Sequence, residues 1–245
     1  MPKLMGKNDS VVLSTVSNFG FSGTRPEALG ASEYTIVSIA VDISGSVASY
    51  EASLVEAYKN IIGSCRKNPR AENLLVRGVT FNENLSELHG FVGLDTIKED
   101  QLSLHAHGGT ALFDSALEGV EALGKYGKTL FDMDYLVNGV LFIVTDGDDT
   151  SSRLASPDKI KAALEKVRKT EVLESIKVIL IGVGDQNSVQ QYLDTLHKNA
   201  GFDQFAWIGG ADAKALAKMA AFVSNSISSS SQALGTGGPS QNLTV

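Results

Sequence analysis

The chain has 245 residues, a net charge of −7, a hydrophobic fraction of 43% and a charged fraction of 20%, which suits one large α/β domain of an ordinary globular protein. The acidic balance, without a run of lysines or arginines, excludes a general nucleic-acid binder. The one cysteine, Cys65, excludes an intrachain disulfide, and no stretch is long and apolar enough to span a membrane as a helix.

In chain order, residues 1–33 are polar and punctuated by Gly20, Gly23, Pro26 and Gly30. They read as an N-terminal arm, with only Val11-Val12-Leu13 resembling a short strand. The first ten residues hold no apolar h-region, so no secretory signal is expected, and the reading places the protein in the cytoplasm or in a particle. From residue 34 the pattern alternates. Thr35 to Val41 is a β-branched apolar run, as in a buried parallel strand. It ends at Asp42-Ile43-Ser44-Gly45-Ser46. Val47, Leu54, Tyr58, Ile61 and Cys65 then mark one apolar face of a helix over about 47–66. Asn73 to Asn82 reads as a second strand and Ser86 to Leu94 as a third, antiparallel at the sheet edge if Glu83-Asn84 forms a hairpin.

A helical turn is expected near 97–102. His105-Ala106-His107-Gly108-Gly109-Thr110 follows as a glycine-rich loop, then a helix over about 111–123 and a connecting stretch to Val137. Asn138 to Thr145 is a fourth, continuous apolar strand ending at Asp146-Gly147-Asp148-Asp149. Ser156-Pro157 is a strong helix start, opening a helix to about 174. A fifth strand covers 176–183, a helix 189–199 ends before Gly201, a sixth strand covers 204–208, and a last helix covers 213–227. Residues 228–245 read by composition as a Ser/Gly-rich tail. The expected fold is a doubly wound, mostly parallel six-stranded sheet with helices on both faces and an antiparallel edge strand, over residues 34–227.

Three loops carry candidate ligands. Asp42, Ser44 and Ser46 follow the first strand, Thr110 follows two glycines, and Asp146 follows the fourth strand. In a sheet of order 3-2-1-4-5-6 the first and fourth strands are neighbours at the switch point, where such sheets place ligands. Two carboxylates from distant sequence then lie within reach of one ion, and Gly108-Gly109 lets the middle loop approach closely. Oxygen-only donors suit Mg²⁺, Mn²⁺ or Ca²⁺. His105 and His107 could turn two rings to one side, as zinc requires. No cysteine or third histidine supports that, so they read as loop or partner contacts at the rim, beside the acidic Asp148 and Asp149.

Asp42-x-Ser44-x-Ser46, Gly108-Gly109-Thr110 and Thr145-Asp146-Gly147 together resemble the von Willebrand factor A domain, of the soluble bacterial or phage type, over about residues 34–227. The resemblance implies a metal-ion-dependent adhesion site. It implies that Ser44 and Ser46 bind Mg²⁺ directly, that Thr110 binds it directly or through water, and that Asp42 and Asp146 act mostly through water. An open coordination position would then take a carboxylate from a protein partner. The function expected is a non-enzymatic, metal-dependent interaction module. A second reading is a subunit of a larger assembly, a filament or virion, with arm and tail docked on neighbouring copies. A metal-dependent hydrolase or phosphotransferase is the third, opposed by Ser44 standing where an Asp-x-Asp enzyme has its second carboxylate.

Overall fold

The computed structural model describes residues 9–98 and 104–236. Its first half runs β1 (Ser10–Ser14), β2 (Gly20–Thr24), β3 (Glu33–Asp42), α1 (Glu51–Arg66), β4 (Leu74–Phe81), β5 (Leu85–Gly93) and α2 (Leu112–Phe131). Its second half runs β6 (Leu136–Thr145), α3 (Pro157–Lys169), β7 (Ser175–Gly184), α4 (Asn187–Ala200), β8 (Gln204–Gly209) and α5 (Ala213–Thr236). One eight-stranded sheet results, in the order β1-β2-β5-β4-β3-β6-β7-β8. From β5 to β8 this is the predicted doubly wound order, with β3 pairing in parallel to β4 on one side and β6 on the other. The sheet has eight strands rather than the six expected.

The two additional strands lie where an arm was expected. β1 and β2 pair antiparallel, and β2 joins β5 in parallel at Gly23–Phe91. As predicted, β5 runs antiparallel to β4, but β1, not β5, is the edge. The signal was missed because β2, Gly-Phe-Ser-Gly-Thr, has almost no apolar alternation. Its attachment is aromatic and polar. Phe21 meets Phe91 edge-on at 6.0 Å, and Phe91 stacks on Tyr126 of α2 at 4.8 Å. The Tyr126 hydroxyl donates to the Thr24 carbonyl at 2.7 Å. Beneath them Arg77 of β4, only 2% exposed, donates to both oxygens of Glu118 on α2 at 2.8–2.9 Å and to Glu87 on β5 at 2.8 Å. Glu87 in turn accepts from the Ser22 backbone amide at 3.1 Å. A buried guanidinium needs such partners, because unpaired it would cost several kcal/mol.

Two apolar layers flank the sheet. α1 and α5 cover one face through Leu54, Ile61, Leu216, Val223 and Ile227. α2, α3 and α4 cover the other through Leu123, Leu130, Ile160, Leu164 and Leu193. α3 begins as read, with the Ser156 hydroxyl accepting from the Lys159 amide and Pro157 in the first turn, but stops at Lys169. α4 ends on Gly201 in the left-handed region, as expected of a helix-terminating glycine.

Two helices are longer than expected. α2 continues through Gly124 and Gly127. A Cβ at these positions would come within 2.7 Å of Val167 and 2.4 Å of Leu173, respectively. These glycines are close-packing points, not helix breakers. α5 continues through the serines expected to begin a tail. Of these, Ser228 donates back to the Ser224 carbonyl and accepts from Asn68, and Ser231 accepts from Arg70. The expected helical turn near 97–102 lies largely outside the described residues, as do residues 1–8 of the arm and 237–245 of the tail. Among the described residues no helix is long and apolar enough to cross a membrane.

Candidate metal centre

The centre forms at the carboxyl ends of β3 and β6. These strands stay in register to Val41–Val144, so Asp42 and Thr145 end the two strands side by side. Thr145 Oγ1 donates to Asp42 Oδ2 at 2.6 Å. The Ser44 amide donates to Asp42 Oδ1 at 2.8 Å. Both carboxylate oxygens of Asp42 are thus held, and the residue is buried. Ser44 Oγ lies 3.1 Å from Ser46 Oγ. Ser46 Oγ donates to Asp146 Oδ1 at 2.7 Å, across 100 residues of sequence. The first and third predicted loops therefore meet in a chain of hydrogen bonds through Asp42, Ser44, Ser46 and Asp146.

Thr110 joins through its backbone. Its loop is pinned to the first by Gly45 N to Gly108 O at 3.0 Å and His107 N to Ile43 O at 2.9 Å. It is pinned to the third by Thr110 N to Thr150 Oγ1 at 2.8 Å and by Thr150 and Ser151 amides donating to Thr110 O at 2.9–3.0 Å. Gly109 is confined between these loops. A Cβ there would lie 2.3 Å from Ser151 Oγ and 2.9 Å from Thr150 Oγ1. The Gly109 amide donates to Glu83 Oε1 at 3.2 Å, on the turn between β4 and β5.

The rim residues separate into two kinds. His105 and Asp148 are exposed. His107 is exposed but engaged on both ring nitrogens, Nδ1 with the His105 carbonyl at 2.7 Å and Nε2 with Asn82 Nδ2 at 3.2 Å. Asp149 turns inward and accepts from the Phe113 amide at 3.1 Å and from the Ser152 hydroxyl. It closes the first turn of α2, whose orphan amides need acceptors.

Sequence reading missed three supporting groups. Tyr50 hydrogen-bonds Asp146, and its hydroxyl is held strongly un-ionised by burial and by that carboxylate's charge. Asp114 is buried and accepts the Arg153, Leu154 and Ala155 amides at 2.8–2.9 Å, fixing the third loop on α2. Asn82 donates to the His107 carbonyl at 3.1 Å. Only Asp114, a carboxylate on the inner side of an apolar helix, left a visible sign in the sequence.

Burial pushes the Asp42 carboxyl up to about 6, with the hydrogen bonds from Thr145 and Ser44 opposing and the charge of Asp146 reinforcing it. No cationic side chain acts on it. Among the described residues no three His, Cys, Asp or Glu side chains converge as a metal group. The side chains that these bonds join are the carboxylates of Asp42 and Asp146 and the hydroxyls of Ser44 and Ser46, all hard oxygen donors, with one buried acidic group lacking a counter-charge. Such a set fits Mg²⁺, Mn²⁺ or Ca²⁺.

No protein-family model matches the chain, and no curated protein matches it. Solved structures do. The PilB minor pilin from Streptococcus sanguinis is similar at a TM-score of 0.54 and 16% identity, over 91% of this chain and 67% of the pilin. Proximal thread matrix protein 1 from the mussel byssus, in a form with a zinc-occupied MIDAS motif, is similar at a TM-score of 0.51 and 17% identity, over 79% of this chain and 45% of that one. The pilus adhesin SpaC from Lactobacillus rhamnosus GG is similar at a TM-score of 0.54 and 12% identity, over 92% of this chain and 36% of the adhesin. The chain thus spans about two thirds of the pilin and less than half of the other two. At these identities the likeness speaks for the fold alone, and it supports one like the von Willebrand factor A domain.

Proposed function

We propose that the chain is a metal-dependent protein-binding module, and that its partner offers a carboxylate to a Mg²⁺ ion at the three-loop centre. Ser44, Ser46 and Thr110 would hold the ion, with Asp42 and Asp146 balancing its charge. When bound, such an ion supplies Lewis acidity and an open position for a further oxygen ligand. The residues themselves orient the donors. Thr145 and the Ser44 amide fix Asp42, and Tyr50 fixes Asp146. The observation that carries the reading is the Ser46–Asp146 bond, which joins the first and third loops across 100 residues of sequence.

A binding role is favoured over phosphoryl transfer because Asp42 is buried and out of a substrate's reach. A nucleophilic carboxylate needs a free, accessible oxygen. The solved proteins of similar fold include a minor pilin and a byssus matrix protein. That supports an interaction or assembly role, and the partner sets the compartment. The test is affinity capture from lysate with Mg²⁺ or with EDTA, using Asp42→Ala and Thr110→Ala as controls, beside calorimetric titration of Mg²⁺ alone. Capture that needs Mg²⁺ and fails in both variants is expected. Equal capture in EDTA, or an unaltered Mg²⁺ isotherm in both variants, would overturn the reading.

A further inference from the structure

The outer edge of β1 lies at the opposite side of the sheet order from β8, and among the described residues no strand pairs with it. Its sequence is Ser10-Val11-Val12-Leu13-Ser14. The β1–β2 ladder fixes which way its backbone points. Arg25 donates to the Asp9 carbonyl and Thr15 donates to the Phe19 carbonyl, so residues 9 and 15 exchange hydrogen bonds with β2. Bonded and non-bonded positions alternate in an antiparallel pair. Val11 and Leu13 therefore also face β2, opposite Gly23 and Phe21. Ser10, Val12 and Ser14 turn their amides and carbonyls outward. Among the described residues only the Ser10 carbonyl meets a side chain, Arg25 Nε at 3.1 Å, and a carbonyl can accept a second bond.

Natural sheets protect such edges with lysine, proline, a bulge or a covering element. Here no charged residue and no proline occurs between Ser10 and Thr24. Val12 is 78% exposed on this strand, whose Val11 and Leu13 pack against the core, and Val16 in the turn after it is 80% exposed.

We infer that β1 is a homotypic docking strand, which pairs antiparallel with β1 of a second copy of this chain about a two-fold axis through Val12. The strand is close to a palindrome about that residue. The pairing sets Val12 against Val12, Val11 against Leu13 and Ser10 against Ser14, with no charge facing a like charge. The outward amides and carbonyls of Ser10, Val12 and Ser14 then exchange about six backbone hydrogen bonds. Two eight-stranded sheets join into one, the two Val12 side chains meet across the seam, and an isologous interface closes without further growth. The metal centre takes no part, so this dimer stands or falls separately from the proposed binding role.

The test is the mass of the whole chain in solution by sedimentation equilibrium over 1–200 µM, in EDTA to silence the metal centre, for wild type and Val12→Pro. Proline at position 12 removes an amide that faces outward and leaves the β1–β2 ladder intact. A second variant, Val12→Cys, keeps the strand and is oxidised and run without reductant. Bonded antiparallel partners lie ~5.5 Å apart at Cα, within disulfide reach, and Cys65 is buried. A wild-type dimer that Val12→Pro reduces to monomer, with a cross-linked doublet from Val12→Cys and none from Val16→Cys, is the expected result. A wild type that stays monomeric to 200 µM overturns the inference. So does a dimer that survives Val12→Pro and leaves Val12→Cys uncross-linked.

Discussion

Asp42→Asn isolates the energy stored at the centre. The Asp42 carboxyl stands at about 6 in the fold against an ordinary 3.8. The folded state therefore keeps a proton that the unfolded chain has lost between those values. Stability from this group is fully present below pH 3.8 and is lost as pH rises through 6. The difference, just over two powers of ten, amounts to about 3 kcal/mol of cost at pH 7. Asparagine removes the charge and keeps the shape. Its carbonyl can accept from the Ser44 amide. Its amide can donate to Thr145 Oγ1, which retains the Gly147 carbonyl as its own acceptor at 3.3 Å. In EDTA at pH 7 the variant should be more stable than wild type by about 3 kcal/mol, roughly 1 M in urea midpoint. The gap should close as the pH falls to 4. Added Mg²⁺ should stabilise wild type and leave the variant unmoved. A gap that does not vary with pH, or a variant weaker than wild type at pH 7, would refute burial as the source of the raised carboxyl.

Two further outcomes follow from the packing. Arg77→Ala leaves Glu118 buried without its counter-charge and should lower stability by about 3–5 kcal/mol, seen as a calorimetric Tm lower by roughly 10 °C; an unchanged Tm would show that the ion pair does not hold β4 to α2. Gly109→Ala drives a Cβ into Ser151 and Thr150, so Mg²⁺ affinity should fall tenfold or more by titration calorimetry while the Tm shifts little; an unaltered isotherm would show that the middle loop yields freely.

The sheet order from β5 to β8 was legible because buried parallel strands read as continuous apolar runs and each helix between them had its own face. The nearness of the β3 and β6 ends, which carry Asp42 and Asp146, followed from that order alone. Three elements were not legible, each for a local reason. β2 is held by Phe21 and by carboxylate and hydroxyl bonds rather than by alternation. α2 carries Gly124 and Gly127, whose low helix propensity is outweighed by close approach to Val167 and Leu173. The serines at 228–231 resemble a linker in composition, yet Ser228 finds an acceptor one turn back and Ser231 accepts from Arg70. In the centre, the meeting of the first and third loops was readable from the strand order. Tyr50 and Asn82 were not, because they act through loops that only the fold brings together.

The Ser46–Asp146 bond spans the junction between the two halves of the chain. Neither half alone carries a full set of donors. The centre therefore exists only where β6 lies along β3, a contact that closes a loop of about a hundred residues. A nascent or truncated chain ending before β6 presents Asp42, Ser44 and Ser46 without Asp146, so on the proposed reading cation affinity would report a completed fold.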